Sequence, residues 1–541
     1  MSYRIDYISD IQMIRKFQLA LLSILTSCIL FSMPVFAQKN LTLVSSMSFS
    51  PQSVAGCWHY TDTANNTYAL LGTSDGISIV DITNHANPSF LFQLPGVNSL
   101  WHEVKVQGDF AYAVSEGTDT AGIKNGVQII DLRYLPDSAP NKFYQGDGAI
   151  LNMLTRAHSI TTAGEYIYIN GHDIASLGRG VLICNISDPW NPVYVGAVTQ
   201  NYCHDSYVRG DTIYTSDIYA GQFSVYDITN RSNPVLLATQ QTPLLFNHNT
   251  WLNDAGDVLF TTDERNNAPL AAYDISDLSN ITLLDTYFTT LYPSSEVHNV
   301  RVLNDYLINP SYGSQLTIVD ANRPSNLVEV AYYPTASYLV WDADPYLPSG
   351  AILATETNPG TMYIFEPTYV RACYLEGTVR DSFTNLPISG AMVRIINSNL
   401  IKYSDGFGGY KTGQADSGTY DIEFSALGYF TKTYSGVQLS NGNLTQLDAL
   451  LVPDHTRVSE LSRNFRISPN PTNDKITVQS ELSEIHEIKL SDSFGRIVKQ
   501  SRMYNEKSGS ITIRLDDLSS GVYFCTILSR HGSFVSPIVK Y

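Results

Sequence analysis

The sequence is poor in basic residues and in contiguous catalytic motifs. Its 33 Lys and Arg face 51 Asp and Glu, which gives a formal net charge of −18. Because no basic stripe is available to neutralise phosphates, nucleic-acid binding is disfavoured. The sequence has no HExxH pair, Walker loop or EF-hand loop, so enzymes built on those motifs are excluded. A site assembled from distant loops would leave no such motif and stays open.

Cysteine is also scarce. Beyond residue 37 five cysteines remain, Cys57, Cys184, Cys203, Cys373 and Cys525, and they form no CxxC pair. We therefore expect a fold held by its hydrophobic core and not by a disulfide framework. The 35 Tyr, 35 Gly and 24 Pro in 541 residues are typical of an all-β, turn-rich protein with several domains.

The first 37 residues are predicted to be an export signal. Arg15 and Lys16 precede the apolar run 17–36, which ends in a small-residue cleavage site at Ala37. A membrane anchor is the alternative, because the run is nearly long enough to span a bilayer, although Pro34 interrupts it. We expect cleavage after Ala37 and no transmembrane helix in the mature chain.

The organising signal is an internal repeat of an apolar strand that ends in an acid. From Asp81 the acid, twice replaced by Asn185 and Glu366, recurs at intervals of 50, 54, 42, 47, 46 and 46 residues. One period contains four short strands, best seen in AHSITTA, EYIYING, GVLICNIS and PVYVGAV of the third copy. Seven copies of this period predict the blades of a β-propeller.

The two ends of the repeat are complementary. The seventh copy stops after its third strand at Glu366, whereas residues 40–49 (NLTLVSSMSF) resemble the fourth strand of a blade. A blade buries its faces only between neighbouring blades, so the ring must close. We therefore predict a seven-bladed β-propeller over residues 38–370, closed by the strand 40–49.

Several segments of this region carry a family resemblance. The IVDIT strands, together with CHDSYV, HNTWL, LFTTDE, VHNVRV and YLPSG, resemble the choice-of-anchor B family and its LVIVD repeats. The resemblance implies an extracellular propeller without an established reaction. His59 in GCWHYTD and Asn185 depart from the family pattern, which argues against a uniform seven-fold site.

The remaining chain resembles two known modules. Residues 371–452, with CYLEGTVRDSFTNLPISGAMVRI and GTYDIEFSALGY, resemble a carboxypeptidase regulatory-like domain. This implies a small β-sandwich that acts as a spacer or, alternatively, as a binding module. A linker is predicted over residues 453–464.

The C-terminal residues 465–541 contain FRISPNPTNDKITV, LSDSFGRIVKQ and LDDLSSGVYFCTI. These blocks resemble the type A sorting domain of the type IX secretion system of Bacteroidota. The resemblance implies a C-terminal β-sandwich sorting domain and handling by the type IX secretion machinery. It also implies a location outside the cell or on the outer-membrane surface.

Candidate ligand-binding residues begin the predicted innermost strands. Five repeats start this strand with a histidine and the last repeat with an acid: His102, His158, His204, His248, His298 and Asp342. The loops after the second strands add Glu116, His172, Asp217, Asp263 and Glu264. With the usual propeller connectivity both sets would converge at one channel mouth, where they could bind an extracellular glycan or protein ligand.

The histidines have two interpretations. Imidazoles and carboxylates at one rim could hold a divalent metal ion, with His158, His204, His248 and His298 as ligands and one position open to water. Alternatively, the alternation in HEVKV places His102 on a face that packs between blades, where each histidine would be scaffold. We favour a surface binding protein, because its modules account for every segment. A metal-dependent extracellular hydrolase or lyase is the alternative.

The repeated acid has a simpler interpretation. The acids precede turns that contain Ser, Thr or Asn: Asp81, Asp131, Asp227, Asp274 and Asp320. At such positions a carboxylate accepts backbone N–H groups, as in an Asx-turn. Asn185 would preserve this role but not one that depends on charge. We therefore predict that these side chains form turns and do not bind a ligand.

Overall fold

The computed structural model describes residues 38–118, 125–313, 315–335, 339–398, 400–454, 465–480, 485–492, 495–502, 510–529 and 532–541. The predicted signal segment 1–37 and residues 455–464 of the predicted linker lie outside these ranges. Among the described residues, no helix is both long and apolar enough to span a membrane.

The described chain is all-β. It contains 44 short strands and two single-turn 3-10 helices, Gly148–Ile150 and Ala175–Leu177. The strands form small sheets in which almost every pairing is antiparallel and joins strands that are close in sequence. This confirms the predicted all-β class, which followed from short β-branched and aromatic runs separated by turn residues.

Seven sheets lie between residues 41 and 367, numbered here 1 to 7 in chain order. The first strand of this region, β1 Leu41–Ser48, belongs to sheet 7. Sheet 1 contains β2 Val54–Thr61, β3 Thr67–Thr73, β4 Gly76–Asp81 and β5 Ser89–Pro95. Sheet 2 contains β6 His102–Gln107, β7 Phe110–Ser115, β8 Val127–Asp131 and β9 Asn141–Tyr144. Sheet 3 contains β10 Ser159–Ala163, β11 Tyr166–Asn170, β12 Val181–Asn185 and β13 Val193–Val198.

The later sheets repeat this order. Sheet 4 contains β14 Asp205–Arg209, β15 Thr212–Asp217, β16 Gln222–Asp227 and β17 Val235–Gln241. Sheet 5 contains β18 Asn247–Leu252, β19 Val258–Asp263, β20 Leu270–Asp274 and β21 Thr282–Tyr287. Sheet 6 has an interrupted first strand and contains β22 Glu296–Val297, β23 Arg301–Leu303, β24 Tyr306–Tyr312, β25 Gln315–Asp320 and β26 Val328–Pro334. Sheet 7 contains β27 Val340–Asp344, β28 Ile352–Glu356 and β29 Thr361–Pro367.

Sheet 7 combines the two ends of this region. Its fourth strand is β1, which pairs antiparallel with β29 from Leu41 opposite Pro367 to Ser48 opposite Thr361. A register shift between Leu43 and Ser45 marks a bulge. This is the strand pairing that the sequence pattern of residues 40–49 predicts.

Neighbouring sheets contact each other through their first strands. These contacts join β2 with β6, β6 with β10, β10 with β14, β14 with β18 and β18 with β23, while β27 contacts both β24 and β2. Within the described residues, clusters of buried apolar side chains also join each sheet to the next, and sheet 7 to sheet 1. Because both faces of a middle strand are covered, every residue of β3 (TYALLGT) is buried.

The repeated acids end their strands in Asx-turns, as predicted. Asp81 Oδ1 accepts a hydrogen bond from the backbone N–H of Thr83 at 2.9 Å. The same bond, two residues onward, is made by five further members of the series, Asp131, Asp227, Asp274, Asp320 and Asn185. The amide oxygen of Asn185 thus replaces a carboxylate without loss of the turn.

Eight strands follow in two facing sheets. They are β30 Cys373–Asp381, β31 Met392–Ile395, β32 Ile401–Tyr403, β33 Gly409–Gln414, β34 Gly418–Ser425, β35 Lys432–Leu439, β36 Leu444–Gln446 and β37 Ala449–Leu451. The order β33-β30-β36, with β37 also on β30, forms one sheet, and β32-β31-β34-β35 forms the other. This unit packs on sheet 6, where Arg371 Nη1 is 2.7 Å from Asp320 Oδ1 and Tyr374 enters the apolar cluster of sheets 6 and 7.

The last strands enclose a core of their own. They are β38 Phe465–Ser468, β39 Lys475–Ser480, β40 Ile485–Ser491, β41 Ile497–Arg502, β42 Ser510–Arg514, β43 Gly521–Ser529 and β44 Gly532–Lys540. Two sheets, β38-β39-β42 and β41-β40-β43-β44, face each other across Ile476, Leu490 and Cys525. All five cysteines beyond residue 37 are buried and free, so no disulfide connects the described strands.

Candidate functional site

Four histidines, one from each of sheets 3 to 6, form a continuous row. The ring centroids of His158 and His204 are 3.8 Å apart, those of His204 and His248 4.1 Å, and those of His248 and His298 4.2 Å. The backbone explains the repetition, because the N–H groups of His158, His204 and His298 donate to a carbonyl of the second strand of their own sheets. All four side chains are buried or nearly so.

Hydrogen bonds define which ring nitrogens remain available. His204 Nδ1 lies 3.2 Å from the carbonyl oxygen of His248, and His298 Nδ1 lies 2.7 Å from that of Trp341. A carbonyl can only accept, so both Nδ1 atoms carry the proton and both Nε2 atoms keep a free lone pair. His158 differs, because its Nδ1 lies 2.7 Å from Glu116 Oε1.

The row has unequal charges. Burial lowers the pKa of His204 and of His248 well below the usual value, and it lowers the pKa of His298 to about 4. Burial also opposes protonation of His158, but the hydrogen bond and charge of Glu116 outweigh it and raise the pKa of His158. Near neutral pH the row therefore combines one ion pair, His158 with Glu116, and three neutral imidazoles.

The carboxylate of Glu264 lies beside the histidine row. Glu264 follows β19, and ligand atoms of His204, His248 and Glu264 all lie within 4.8 Å of one another. Glu264 Oε1 is also 3.8 Å from His298 Nε2. Burial, together with the charge of Glu296, raises the pKa of Glu264 to about 7. Two imidazoles and one carboxylate are a donor set typical of transition-metal sites.

The row borders a cavity of about 400 Å³. Its lining includes side chains from every one of the seven sheets: Trp58, Glu103, His158, His204, Trp251, Arg301 and Trp341. The walls combine aromatic rings with charged groups, since Tyr207 and Tyr346 pack on Trp251 at centroid distances of 4.7 and 6.2 Å. A cavity of this size and mixed chemistry is typical of a small-ligand site.

Charged side chains inside the cavity are paired across sheets. Arg301 Nη2 donates to Asp342 Oδ1 at 2.7 Å, and Lys105 Nζ lies 3.8 Å from Asp342 Oδ2. Trp341 Nε1 donates to Glu103 Oε1 at 3.0 Å. Lys105 Nζ also lies 4.5 Å from the ring centroid of Trp58, a cation–π contact. Burial raises the pKa of Glu103 to about 7.

Other predicted ligand-binding residues lie elsewhere or have structural partners. His102 is buried and does not line the cavity; it packs against Gly72 of sheet 1 and against Gly96, which follows the last strand of that sheet. This is the between-sheet position that the alternation in HEVKV indicates. Asp342 also does not line the cavity and serves as the partner of Arg301.

Two of the predicted loop acids, Asp217 and Asp263, accept hydrogen bonds from residues near them in the fold. Asp217 accepts hydrogen bonds from Thr215 Oγ1 and Asn201 Nδ2 at 2.8 and 2.9 Å. Asp263 accepts from Thr242 Oγ1 and from the N–H of Leu244, both at 2.5 Å. Their carboxylate oxygens are thereby engaged within the fold.

Glu116 and His172 border a separate cavity of about 230 Å³, together with Arg156, Asp173, Arg179, Tyr202 and Tyr219. His172 is fully buried, and its Nδ1 accepts from the N–H of Ile174 at 3.2 Å. Of this pair, Glu116 alone contacts the histidine row, through His158. The predicted loop set is thus split between the row, the second cavity and the loops themselves.

The cavity also contains residues that the sequence interpretation missed. They stand one and three positions after the histidines on the first strands: Glu103, Lys105, Asp205, Tyr207, Trp251, Asn299 and Arg301. Alternation along the strand would have indicated them, because positions one and three residues after a histidine lie on the same face of a strand. The segment GTSDG, residues 72–76, has the GxSxG spacing, but it is the turn between β3 and β4 and not a strand-to-helix elbow.

Comparison with known families identifies the two C-terminal modules. A family model described as a secretion system C-terminal sorting domain matches residues 466–541. A second, described as a carboxypeptidase regulatory-like domain, matches residues 374–452. Neither covers the seven sheets, and no curated protein matches the chain. The sorting domain indicates an exported protein that is handled by type IX secretion machinery and is extracellular or on the cell surface.

Proposed function

We propose that residues 38–370 form a closed seven-bladed β-propeller of the choice-of-anchor B type, and that its central cavity binds a ligand outside the cell. The pairing of β1 with β29 supports closure, as do the apolar clusters that join each sheet to the next and sheet 7 to sheet 1. A closed ring leaves no blade face uncovered, which is what makes such a repeat stable.

The observation that carries the binding function is the cavity itself. Side chains from the first strands or adjoining loops of all seven sheets line one space of about 400 Å³. A packed core would fill such a space with apolar side chains. Here the walls instead carry Lys105, Arg301 and Glu103 beside the rings of Trp58 and Trp251. Polar groups around aromatic faces suit a polar ligand with some apolar surface.

The dimensions favour a saccharide over a folded protein partner. About 400 Å³ accommodates one or two sugar units, whereas a protein could enter only through an extended chain end. Sugars present both hydroxyl groups and apolar ring faces, which match the charged and aromatic walls. We therefore propose an extracellular glycan as the ligand, with a peptide terminus as the competing ligand.

Tryptophan fluorescence offers a direct test. Three of the five tryptophans, Trp58, Trp251 and Trp341, line the cavity, so an entering ligand should change their emission. The mature protein should be screened against a glycan array and then titrated with each hit. Trp251→Ala should weaken binding by about 5- to 150-fold, because stacking on an aromatic ring contributes roughly 1–3 kcal/mol.

Trp190 provides the matched control. It packs against Phe110, 5.8 Å between ring centroids, and does not line the cavity. Trp190→Ala should bind glycans like the parent protein. Equal loss in both variants, or glycan binding that Trp251→Ala leaves unchanged, would place the ligand site outside the cavity and contradict the proposal.

The modules at the C-terminus complete the proposal. Residues 371–452 would act as a spacer that is fixed to sheet 6 through Arg371 and Asp320, and the sorting domain would direct export. The alternative function is a metal-dependent extracellular hydrolase or lyase. It is favoured by the proximity of His204, His248 and Glu264, and it requires a metal ion at these residues.

A further inference from the structure

We infer that His204, His248 and Glu264 bind one divalent transition-metal ion at the border of the cavity, with a coordination position open toward the ligand. This inference rests on the proposed function, because the metal ion would lie at the border of the proposed ligand-binding cavity. It adds that the ligand is bound partly through a metal ion. Metal ligation would let the site recognise a hydroxyl or carboxylate oxygen of the ligand directly.

The first argument is distance. The three ligand atoms lie within 4.8 Å of one another. Nitrogen and oxygen ligands about 2.0–2.2 Å from a tetrahedral zinc ion are roughly 3.3–3.6 Å apart. Rotamer adjustments of about an ångström would therefore bring the group into coordination. Glu264 is partly exposed, with 29% of its side chain accessible, and has the freedom to make this adjustment.

The second argument is the state of the ring nitrogens. Because His204 Nδ1 donates to the carbonyl of His248, the ring is oriented and its Nε2 lone pair is available. Metal-binding histidines commonly have such a backbone partner on the second nitrogen. His248 Nδ1 is buried and has no partner at full hydrogen-bond geometry among the described residues, and the backbone group that interacts with this ring belongs to His298.

The third argument concerns His298 and Glu264. His298 Nδ1 donates to Trp341, so its Nε2 is an acceptor, and this acceptor faces Glu264 Oε1 at 3.8 Å. At 3.8 Å the two atoms are too far apart for a direct hydrogen bond. A cation between Glu264 and the histidines would compensate the carboxylate. His298 would then be a positioning residue, or a fourth nitrogen ligand after a small shift.

The same geometry separates the other histidines from the site. His158, which pairs with Glu116, is not in the group whose ligand atoms lie within 4.8 Å of one another, and His102 lies between sheets 1 and 2, away from the row. Imidazole with carboxylate suits zinc, cobalt, nickel, copper or iron better than calcium or magnesium, which prefer sites made of oxygen. We therefore expect selectivity for the transition metals.

The test uses metal alone, with tag-free mature protein treated with a chelator. Zn²⁺ titrated into this protein should bind at about one equivalent, and Co²⁺ should give the visible absorption of a site with nitrogen ligands. Excess Mg²⁺ or Ca²⁺ should not displace either ion. Failure of the parent protein to take up stoichiometric Zn²⁺, or displacement by Ca²⁺, would overturn the inference.

Variants identify the ligands. His204→Ala with His248→Ala should abolish uptake, and Glu264→Gln should weaken it more than about tenfold. His102→Ala removes a buried histidine at the equivalent repeat position and should bind Zn²⁺ like the parent. Glu264→Gln keeps the test valid should the double variant unfold, because it changes one partly exposed group to its isostere. Unchanged uptake in Glu264→Gln and in a folded double variant would mean that the metal binds elsewhere.

Glycan binding separates this inference from the proposed function. A protein that binds glycans in the cavity but takes up no Zn²⁺ would retain the binding function and lose the metal site. A protein that takes up Zn²⁺ but whose cavity variants leave glycan recognition intact would lose the binding proposal and keep the metal site.

Discussion

Leu41→Ala should reveal whether the N-terminal strand is integral to the seven-sheet region. Leu41 begins β1, is 1% exposed and packs with residues of sheets 6 and 7, including Ile318 and Phe365. Truncation removes buried methyl groups and leaves a void between β1 and sheet 6. Leucine-to-alanine changes at such positions cost about 2–5 kcal/mol, so the free energy of unfolding should fall by that amount.

The assay is urea unfolding of the mature protein, followed by tryptophan fluorescence. At roughly 2 °C per kcal/mol for a large domain, the same change should lower Tm by about 4–10 °C. Thr42→Ala is the control, because Thr42 neighbours Leu41 on β1 but is exposed, and it should cost less than about 1 kcal/mol. If Leu41→Ala lowers the free energy of unfolding no more than Thr42→Ala does, β1 does not contribute to the stability of this region. The proposal of a closed ring would then be wrong.

Two further predictions concern export and pH. Deletion of residues 465–541, which include the matched sorting domain, should leave the protein in the periplasm; protease accessibility on whole cells measures this, and unchanged surface exposure would contradict it. Burial raises the pKa of Glu103 from 4.5 to about 7, Lys105 opposing and Asp342 reinforcing the shift. The folded state thus holds this proton more tightly, so its stabilising contribution is complete below about pH 4.5 and is lost as the pH rises through about 7. Glu103→Gln, which stays neutral, should flatten this part of the Tm–pH profile, and parallel profiles for variant and parent would refute the assignment.

Local features of the chain were predictable from the sequence. In sheets 1 to 6 the residue at the end of the third strand forms an Asx-turn, as in Asp81, and Asn185 replaces the acid without loss of this turn. The four strands of the third repeat appear as β10 to β13. Such features depend on residues that are close in sequence, so a repeated local pattern is sufficient to indicate them.

The five repeated histidines could not be interpreted from their pattern alone. All occupy the same place in the repeat, yet His102 packs between sheets, His158 forms an ion pair with Glu116, and His204, His248 and His298 are neutral. The difference comes from partners far away in sequence, such as Glu116, 42 residues before His158. One repeat position therefore has three environments.

By itself the sequence determined the all-β class, the number of strands in a repeat, the turns and the two C-terminal modules, because these depend on strand alternation, turn chemistry and contiguous motifs. Only the tertiary structure decided which side chains meet. Arg301 pairs with Asp342, Glu103 meets Trp341, and Glu264 approaches His204 and His248. Each contact joins different sheets or different strands of one sheet, and its distance depends on how the seven sheets pack around one cavity. The charge state of a buried imidazole or carboxylate follows from that packing, because desolvation and long-range partners set its pKa.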